Sequence, residues 1–188
     1  MGNTPSSTTE ELIVEYEQMT TGYDAKTTAR SITAAELLSK LQANQSIFLL
    51  DTRDQTEHEV SHINLTGTSN GAVGLLIPSI GMMSVGYKSP LPDPTEIPKE
   101  AIIICSCTAG LRSGYVAVDL EKKWNRPVYS LKGGIIAWVN AGGKVQDVSG
   151  EETNQVHCYS TKWGKYLNNQ DNVVTTDSLA VQIKSALA

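Results

Sequence analysis

A seven-residue run, Cys107-Thr108-Ala109-Gly110-Leu111-Arg112-Ser113, holds the residue types that nucleophilic sulfur chemistry needs. It begins where AIIICSC (101–107), a β-branched and nearly continuous apolar run, ends. Such a run suits a strand buried on both faces of a parallel sheet. It is followed by SGYVAVDLEKKW (113–124), which reads as a helix. In open α/β sheets, ligands bind beyond the carboxyl ends of the strands. A thiol at that point faces the start of the next helix, where unpaired N–H groups and the helix dipole stabilise an anion. Thiolate is the reactive form of cysteine. Gly110 lets the backbone from Thr108 to Ser113 curl with its N–H groups inward, as an anion nest requires. Arg112 adds a positive charge or pins the loop. Strand, Cys, tight loop with Arg, then helix is a cradle for a thiolate nucleophile.

The competing structural reading makes Cys107 a small buried hydrophobe; its place at a strand end, with Gly110 and Arg112 beside it, argues for the nucleophile. Cys105 reads as a packed core thiol. It shares a face with Cys107 if the strand runs on, and a disulfide across one residue would be strained. Asp51, Arg53 and Glu57 read as an ion-pair network steadying the loops beside the site. His62 reads as a structural hydrogen-bonding residue, because a preformed thiolate needs no base. As a functional residue, Cys158 would be a second thiol that accepts sulfur from Cys107 or forms a disulfide with it. A zinc site from Cys105, Cys107, His157 and Cys158 is disfavoured, because neither C-x-C nor an adjacent His-Cys is a usual zinc pair. No metal or cofactor is expected.

The elements that must position this loop are legible in part. Thr8 and Glu11 form a capping box that opens a short helix through about Gln18, and Gly22 to Ala29 reads as a linker. A second box, Thr33 with Glu36, opens TAAELLSKLQ (33–42), with Leu37, Leu38 and Leu41 as its apolar stripe. SIFLL (46–50), closed by Asp51, is a short buried strand. RPVYSL (126–131) is another strand. It is followed by Lys132-Gly133-Gly134 and the helix IIAWVNA (135–141), which Gly142-Gly143 stops as a left-handed cap would. Strand alternating with helix predicts an α/β domain with a mostly parallel sheet. Residues 71–98, rich in Gly and Pro, read as a long loop near the sheet edge with room for a short helix. The aromatic residues of HCYSTKWGKYL (157–167) predict a tail that packs back on the domain, and DSLAVQIKSALA (177–188) reads as a terminal helix.

Three segments together resemble the single-domain rhodanese family of sulfurtransferases. CTAGLRS is similar to that family's active-site loop. LLDTRDQTEHEVSHI, with Asp51, Arg53, Glu57 and His62, resembles its first signature, and VYSLKGGIIAWVNAGG, with Gly133, Gly134 and Trp138, its closing one. The resemblance covers roughly residues 29 to 145. It implies a rhodanese-like α/β fold with about five mostly parallel strands and helices on both faces. It also implies that Cys107 carries sulfur as a persulfide, taken from a small-molecule donor such as thiosulfate and passed to cyanide or a thiol. Thr108, Ala109, Gly110, Leu111, Arg112 and Ser113 would hold the substrate's charge, with Asp51, Arg53 and His62 in support. Two departures stand out. The loop has one basic residue, fewer than several thiosulfate-preferring relatives, and Asn64-Leu65-Thr66-Gly67 runs two residues longer than is usual. Phosphatases and arsenate reductases of this fold carry five residues between Cys and Arg. Here there are four, a tighter loop suited to a sulfur atom.

The whole-chain figures agree with an enzyme of this kind. At 188 residues and 20.3 kDa, the chain fits one domain with extensions. The boundaries read as a tail with helix and linker over 1–28, the rhodanese-like domain over 29–148 and an extension over 149–188. With 40% hydrophobic and 19% charged residues it can build a core. A net charge of −5 argues against a nucleic-acid partner. Three cysteines cannot all pair within one chain, and no run is long and apolar enough for a transmembrane helix. With no secretory pattern at the start, an intracellular, cytoplasmic setting with free thiols is expected. Gly2 and Ser6 fit the myristoylation pattern, which alone would give weak membrane association. A non-catalytic or regulatory interaction module of this fold, with membrane anchoring as an option through Gly2, is the alternative reading.

Overall fold

The computed structural model describes residues 8–65, 72–79 and 86–177. Helix α1 (Thr9–Thr27) leads into strand β1 (Arg30–Ile32), helix α2 (Ala34–Gln42), strand β2 (Ile47–Asp51), helix α3 (Gln55–Val60) and strand β3 (His62–Ile63). Strand β4 (Val73–Leu76), strand β5 (Ile102–Ser106), helix α4 (Leu111–Trp124), strand β6 (Val128–Leu131) and helix α5 (Gly134–Asn140) follow. The C-terminal part holds β7 (Val145–Gln146), β8 (Glu152–Thr153), β9 (Val156–His157), the short helix α6 (Thr161–Gly164), a 3-10 turn (Gln170–Asn172) and β10 (Val173–Val174).

The central sheet has five strands in the order β1-β6-β5-β2-β4, and every neighbouring pair is parallel. Side-chain alternation splits its core in two. Ile47, Leu49, Ile104 and Leu131 pack with Leu37 of α2 and Ile135, Ile136 and Trp138 of α5 on one face. Phe48, Leu50, Ile103, Cys105 and Val128 pack with Val116, Ala117 and Leu120 of α4 on the other. This is the doubly covered parallel sheet that the apolar runs predict. The register sets Asp51 opposite Ser106 and Cys105 opposite Ser130. The carboxyl ends of β2, β5 and β6 therefore finish together, and the loop that starts at Cys107 leaves from that edge.

Two expectations are corrected. α1 does not stop near Gln18: it continues through Gly22 to Thr27 and is capped by Thr28 in the left-handed region, φ 59°. The extension is held by packing rather than propensity. Thr27 fits so closely against Gly114 of α4 that a Cβ there would meet the Thr27 hydroxyl at 2.6 Å. Second, residues 71–98 are not all loop. Val73–Leu76 forms the edge strand β4, pairing Phe48 with Val73 and Asp51 with Leu76. An edge strand so short, with Gly74 inside it, carries no alternation to read.

The flanks join the core. Tyr16 of α1, and Val156, Cys158, Tyr166 and Leu167 of the C-terminal extension, are buried in the face that holds α2 and α5. Tyr16 donates to the Gly133 carbonyl at 2.6 Å, and its ring lies 4.8 Å from that of Tyr166. Val156, Cys158, Tyr166 and Leu167 thus pack with Tyr16 against this face of the core. Among the described residues, no helix is long and apolar enough to cross a membrane. Gly2, Thr66-Gly67 and the expected terminal helix from Ser178 onward lie outside the described residues.

Candidate functional site

β5 ends at Ser106, so Cys107 is the first residue of the loop rather than the last of the strand. Its sulfur is buried, with 2% of the residue exposed. The Gly110 N–H donates to Cys107 Sγ at 3.1 Å and the Ser113 hydroxyl lies 3.5 Å from it. Gly110 is the N-cap of α4, and its φ of 99° is one that side chains rarely adopt. This turn brings the chain back over the sulfur. The N–H groups of Leu111, Arg112 and Ser113 stand in the first turn of α4, where no helical acceptor exists for them. Ser113 Oγ also lies 3.1 Å from the Gly110 carbonyl and 2.9 Å from Ser130 Oγ, which ties the loop to the end of β6.

The start of α5 presses on the same loop. Ile135 N donates to the Cys107 carbonyl at 2.9 Å and Ile136 N to that of Thr108 at 3.4 Å. Gly134, at φ 54°, makes this approach possible: a Cβ there would lie 2.2 Å from the Cys107 carbonyl oxygen. The Gly133-Gly134 pair is thus part of the cradle wall.

Behind the loop stands a buried ionic lock. Arg112 Nη1 and Nη2 each donate to a Glu57 carboxylate oxygen at 2.7 Å. Thr108 Oγ1 donates to Glu57 Oε1 at 2.8 Å and accepts from Arg112 Nη2 at 2.9 Å. Asp54 N completes the set at 3.0 Å from Glu57 Oε2. Burial alone would raise the Glu57 carboxyl; the hydrogen bonds and charge of Arg112, aided by Arg53, win and hold it below the usual value. Arg112 is therefore a support of the loop, one of the two roles its position suggests. A second lock lies further back. Arg53 grips Asp51 through Nε and Nη2 and donates to the Ser61 carbonyl at 2.7 Å, while His58 Nδ1 lies 3.1 Å from Asp51 Oδ2. Burial opposes the Asp51 charge, but Arg53 and His58 hold its carboxyl well below the usual range.

The expected residues thus divide. Cys107, Gly110 and Ser113 meet at the sulfur; Thr108 and Arg112 bind Glu57 and, with Ala109 and Leu111, line the opening. Asp51 and Arg53 pair with each other at the end of β2. His62 is elsewhere: its ring stacks on His58 at 4.1 Å and Nε2 lies 3.1 Å from Gln146 Nε2, beside a separate pocket. Cys105 is fully buried in the α4-side core, and burial raises its thiol. Cys158 is also fully buried, with its thiol pushed up to about 12 by burial and its sulfur 3.5 Å from the Val156 carbonyl. All three cysteines are free. Among the described residues, no group of three or more His, Cys, Asp or Glu side chains is placed to hold a metal.

Three aromatic residues from outside the loop complete the site. Tyr23 of α1, Tyr159 and Trp163 of the extension enclose the opening above Cys107, leaving a cavity of about 30 Å³. That is room for one or two small groups, a sulfur atom included. The Tyr23 and Trp163 rings meet edge to face at 6.2 Å, and the Arg112 guanidinium lies 5.8 Å from the centre of the Tyr159 ring. Their sequence signal was the aromatic content of the tail; nothing in the sequence alone places Tyr23 beside them.

The family model described as the rhodanese-like domain matches residues 33–141, more than half of the chain. The chain belongs to the rhodanese-like domain family. No curated protein matches it. Among solved structures it is similar to a thiosulfate sulfurtransferase from Pseudomonas aeruginosa, with TM-score 0.47 and 22% identity, covering 82% of this chain and 26% of that one. It is similar to a Rhodopseudomonas palustris protein described as of unknown function and a possible tyrosine phosphatase, with TM-score 0.47 and 21% identity, covering 78% and 99% of the two chains. A rhodanese-like domain protein from Staphylococcus aureus gives TM-score 0.42 and 23% identity, covering 63% and 99%.

Proposed function

We propose that this protein is a sulfurtransferase that carries sulfane sulfur as a persulfide on Cys107. The observation that carries the reading is the sulfur's setting: a Gly110 N–H at 3.1 Å and a Ser113 hydroxyl at 3.5 Å, at the start of α4, in a loop with four residues between Cys107 and Arg112. These donors suit a negative charge on Cys107 and on the outer sulfur of a persulfide. The glutamate lock engages both terminal nitrogens of Arg112, which leaves the loop N–H groups and the Ser113 hydroxyl to face the sulfur.

The reaction runs in two displacements. The Cys107 thiolate attacks the outer sulfur of the donor. A new S–S bond forms, the donor's own S–S bond breaks, and its electron pair leaves with sulfite when the donor is thiosulfate. A cyanide ion or an acceptor thiolate then attacks the outer persulfide sulfur. The acceptor keeps that sulfur and Cys107 returns as thiolate. No cofactor enters. Because the first product leaves before the acceptor binds, double-reciprocal plots of thiocyanate formation at several cyanide concentrations should be parallel. Cys107→Ser should abolish turnover with its fold intact. Intersecting lines, or full activity in Cys107→Ser, would reject the reading.

A further inference from the structure

The opening above Cys107 carries aromatic rings where an inorganic donor would want cations. Tyr23, Tyr159, Trp163, Ala109 and Leu111 line it together with Arg112, its sole lining cation among the described residues. That cation is engaged: both terminal nitrogens of Arg112 bind the Glu57 carboxylate, so the pair presents no net charge. Lys162, exposed, holds Nζ 5.6 Å from the Trp163 ring centre and does not line the cavity. The chain's net charge of −5 opposes the approach of a dianion as well. Aromatic rings set edge to face, 6.2 Å apart, offer instead a place for a flat or apolar body.

We infer that the opening selects organic sulfane donors, whose apolar body rests on Tyr23, Tyr159 and Trp163 while the terminal sulfur enters to Cys107, over inorganic thiosulfate. This rests on the sulfurtransferase reading and names its donor class. The narrow cavity admits the sulfur and keeps the body of the donor at the rim. The aromatic part of the rim comes from α1 and the extension, elements outside the five-stranded sheet, so these flanks set donor choice while the loop carries the chemistry.

Benzenethiosulfonate and thiosulfate make a matched pair of probes. Both present a terminal sulfane sulfur. In each, attack by the Cys107 thiolate forms one S–S bond and breaks another, and the electron pair leaves with benzenesulfinate or sulfite. The two differ in the phenyl ring and in one unit of negative charge. Wild-type protein should show kcat/KM for benzenethiosulfonate about tenfold above that for thiosulfate, from ring contact and reduced repulsion. Trp163→Ala should bring that ratio to about threefold or less, chiefly through KM for the aromatic donor. Trp163 helps to seat the extension, so Tyr159→Lys serves as the second variant. Tyr159 is 40% exposed, and a cation there should raise kcat/KM for thiosulfate about threefold or more. A wild-type preference for thiosulfate, or a ratio unmoved by both substitutions, overturns the donor assignment while leaving sulfur transfer in place. Failure of both donors to load Cys107 overturns the sulfurtransferase reading itself.

Discussion

Replacing Glu57 by Gln tests the claim that the Cys107 loop is held from behind by a buried charge pair. The carboxylate receives four donors: Arg112 Nη1 and Nη2 at 2.7 Å each, Thr108 Oγ1 at 2.8 Å and Asp54 N at 3.0 Å. An amide of the same shape keeps one oxygen. Its NH2 must face either the Thr108–Arg112 Nη2 side or the Arg112 Nη1–Asp54 side, so at least one donor meets a donor. Arg112 meanwhile loses its counter-charge at 9% exposure. Leaving a buried charge unpaired costs about 3–5 kcal/mol, and the retained oxygen offsets part of this, so about 3 kcal/mol is expected. For a chain of this size that lowers Tm by roughly 6–12 °C. Urea unfolding at pH 7 gives the free energy and scanning calorimetry the Tm. Arg112→Met should cost a similar amount, and the double variant should lose clearly less than the two single losses added together. The Glu57 carboxyl is held below its usual 4.5, so its contribution is fully present above that pH. It is lost as pH falls through the lowered folded value. The Gln variant should lack this part of the acid-side loss. A Glu57→Gln loss below about 1 kcal/mol, or strict additivity in the cycle, would refute the lock.

Three further outcomes follow from other contacts. Gly134→Ala forces a Cβ to 2.2 Å from the Cys107 carbonyl at a positive φ, so it should destabilise by about 3 kcal/mol or more and slow sulfur transfer; a near-neutral effect in urea unfolding would show that α5 does not abut the loop. Tyr16→Phe removes a buried hydroxyl that donates to the Gly133 carbonyl, and should cost about 1 kcal/mol by the same measurement, with no loss contradicting the docking of α1. Burial raises the Cys105 thiol and pushes that of Cys158 up to about 12, so a disulfide reagent at pH 8 should label neither in folded protein and both in urea. Rapid labelling of either in the folded state would contradict its placement in the core.

The sheet and the loop were legible because each rests on local chemistry. AIIICSC is apolar on both faces, as a central parallel strand must be, and the Cys-to-Arg spacing is a short-range pattern. The two capping boxes, Thr8 with Glu11 and Thr33 with Glu36, form as the sequence predicts. What the sequence hid depends on distant partners. The second half of α1 holds Gly22, Asp24 and three threonines; it is helical because Thr27 fits against Gly114 of α4. Strand β4 is ordered by β2, since four residues including a glycine carry no period of their own. Arg112 sits 55 residues from Glu57, so its choice of partner, between an incoming anion and the loop's own support, could only come from the fold. The aromatic rim joins Tyr23 to Trp163, and no local pattern links residues so far apart.

The central claim is that Cys107 accepts a sulfur atom, and intact-protein mass spectrometry reads that event directly. Protein incubated with thiosulfate or benzenethiosulfonate and then desalted should gain about 32 Da, the mass of one sulfur, lose it to cyanide, and show no gain in Cys107→Ser. A folded protein with a free Cys107 thiol that gains no mass from either donor would contradict the account.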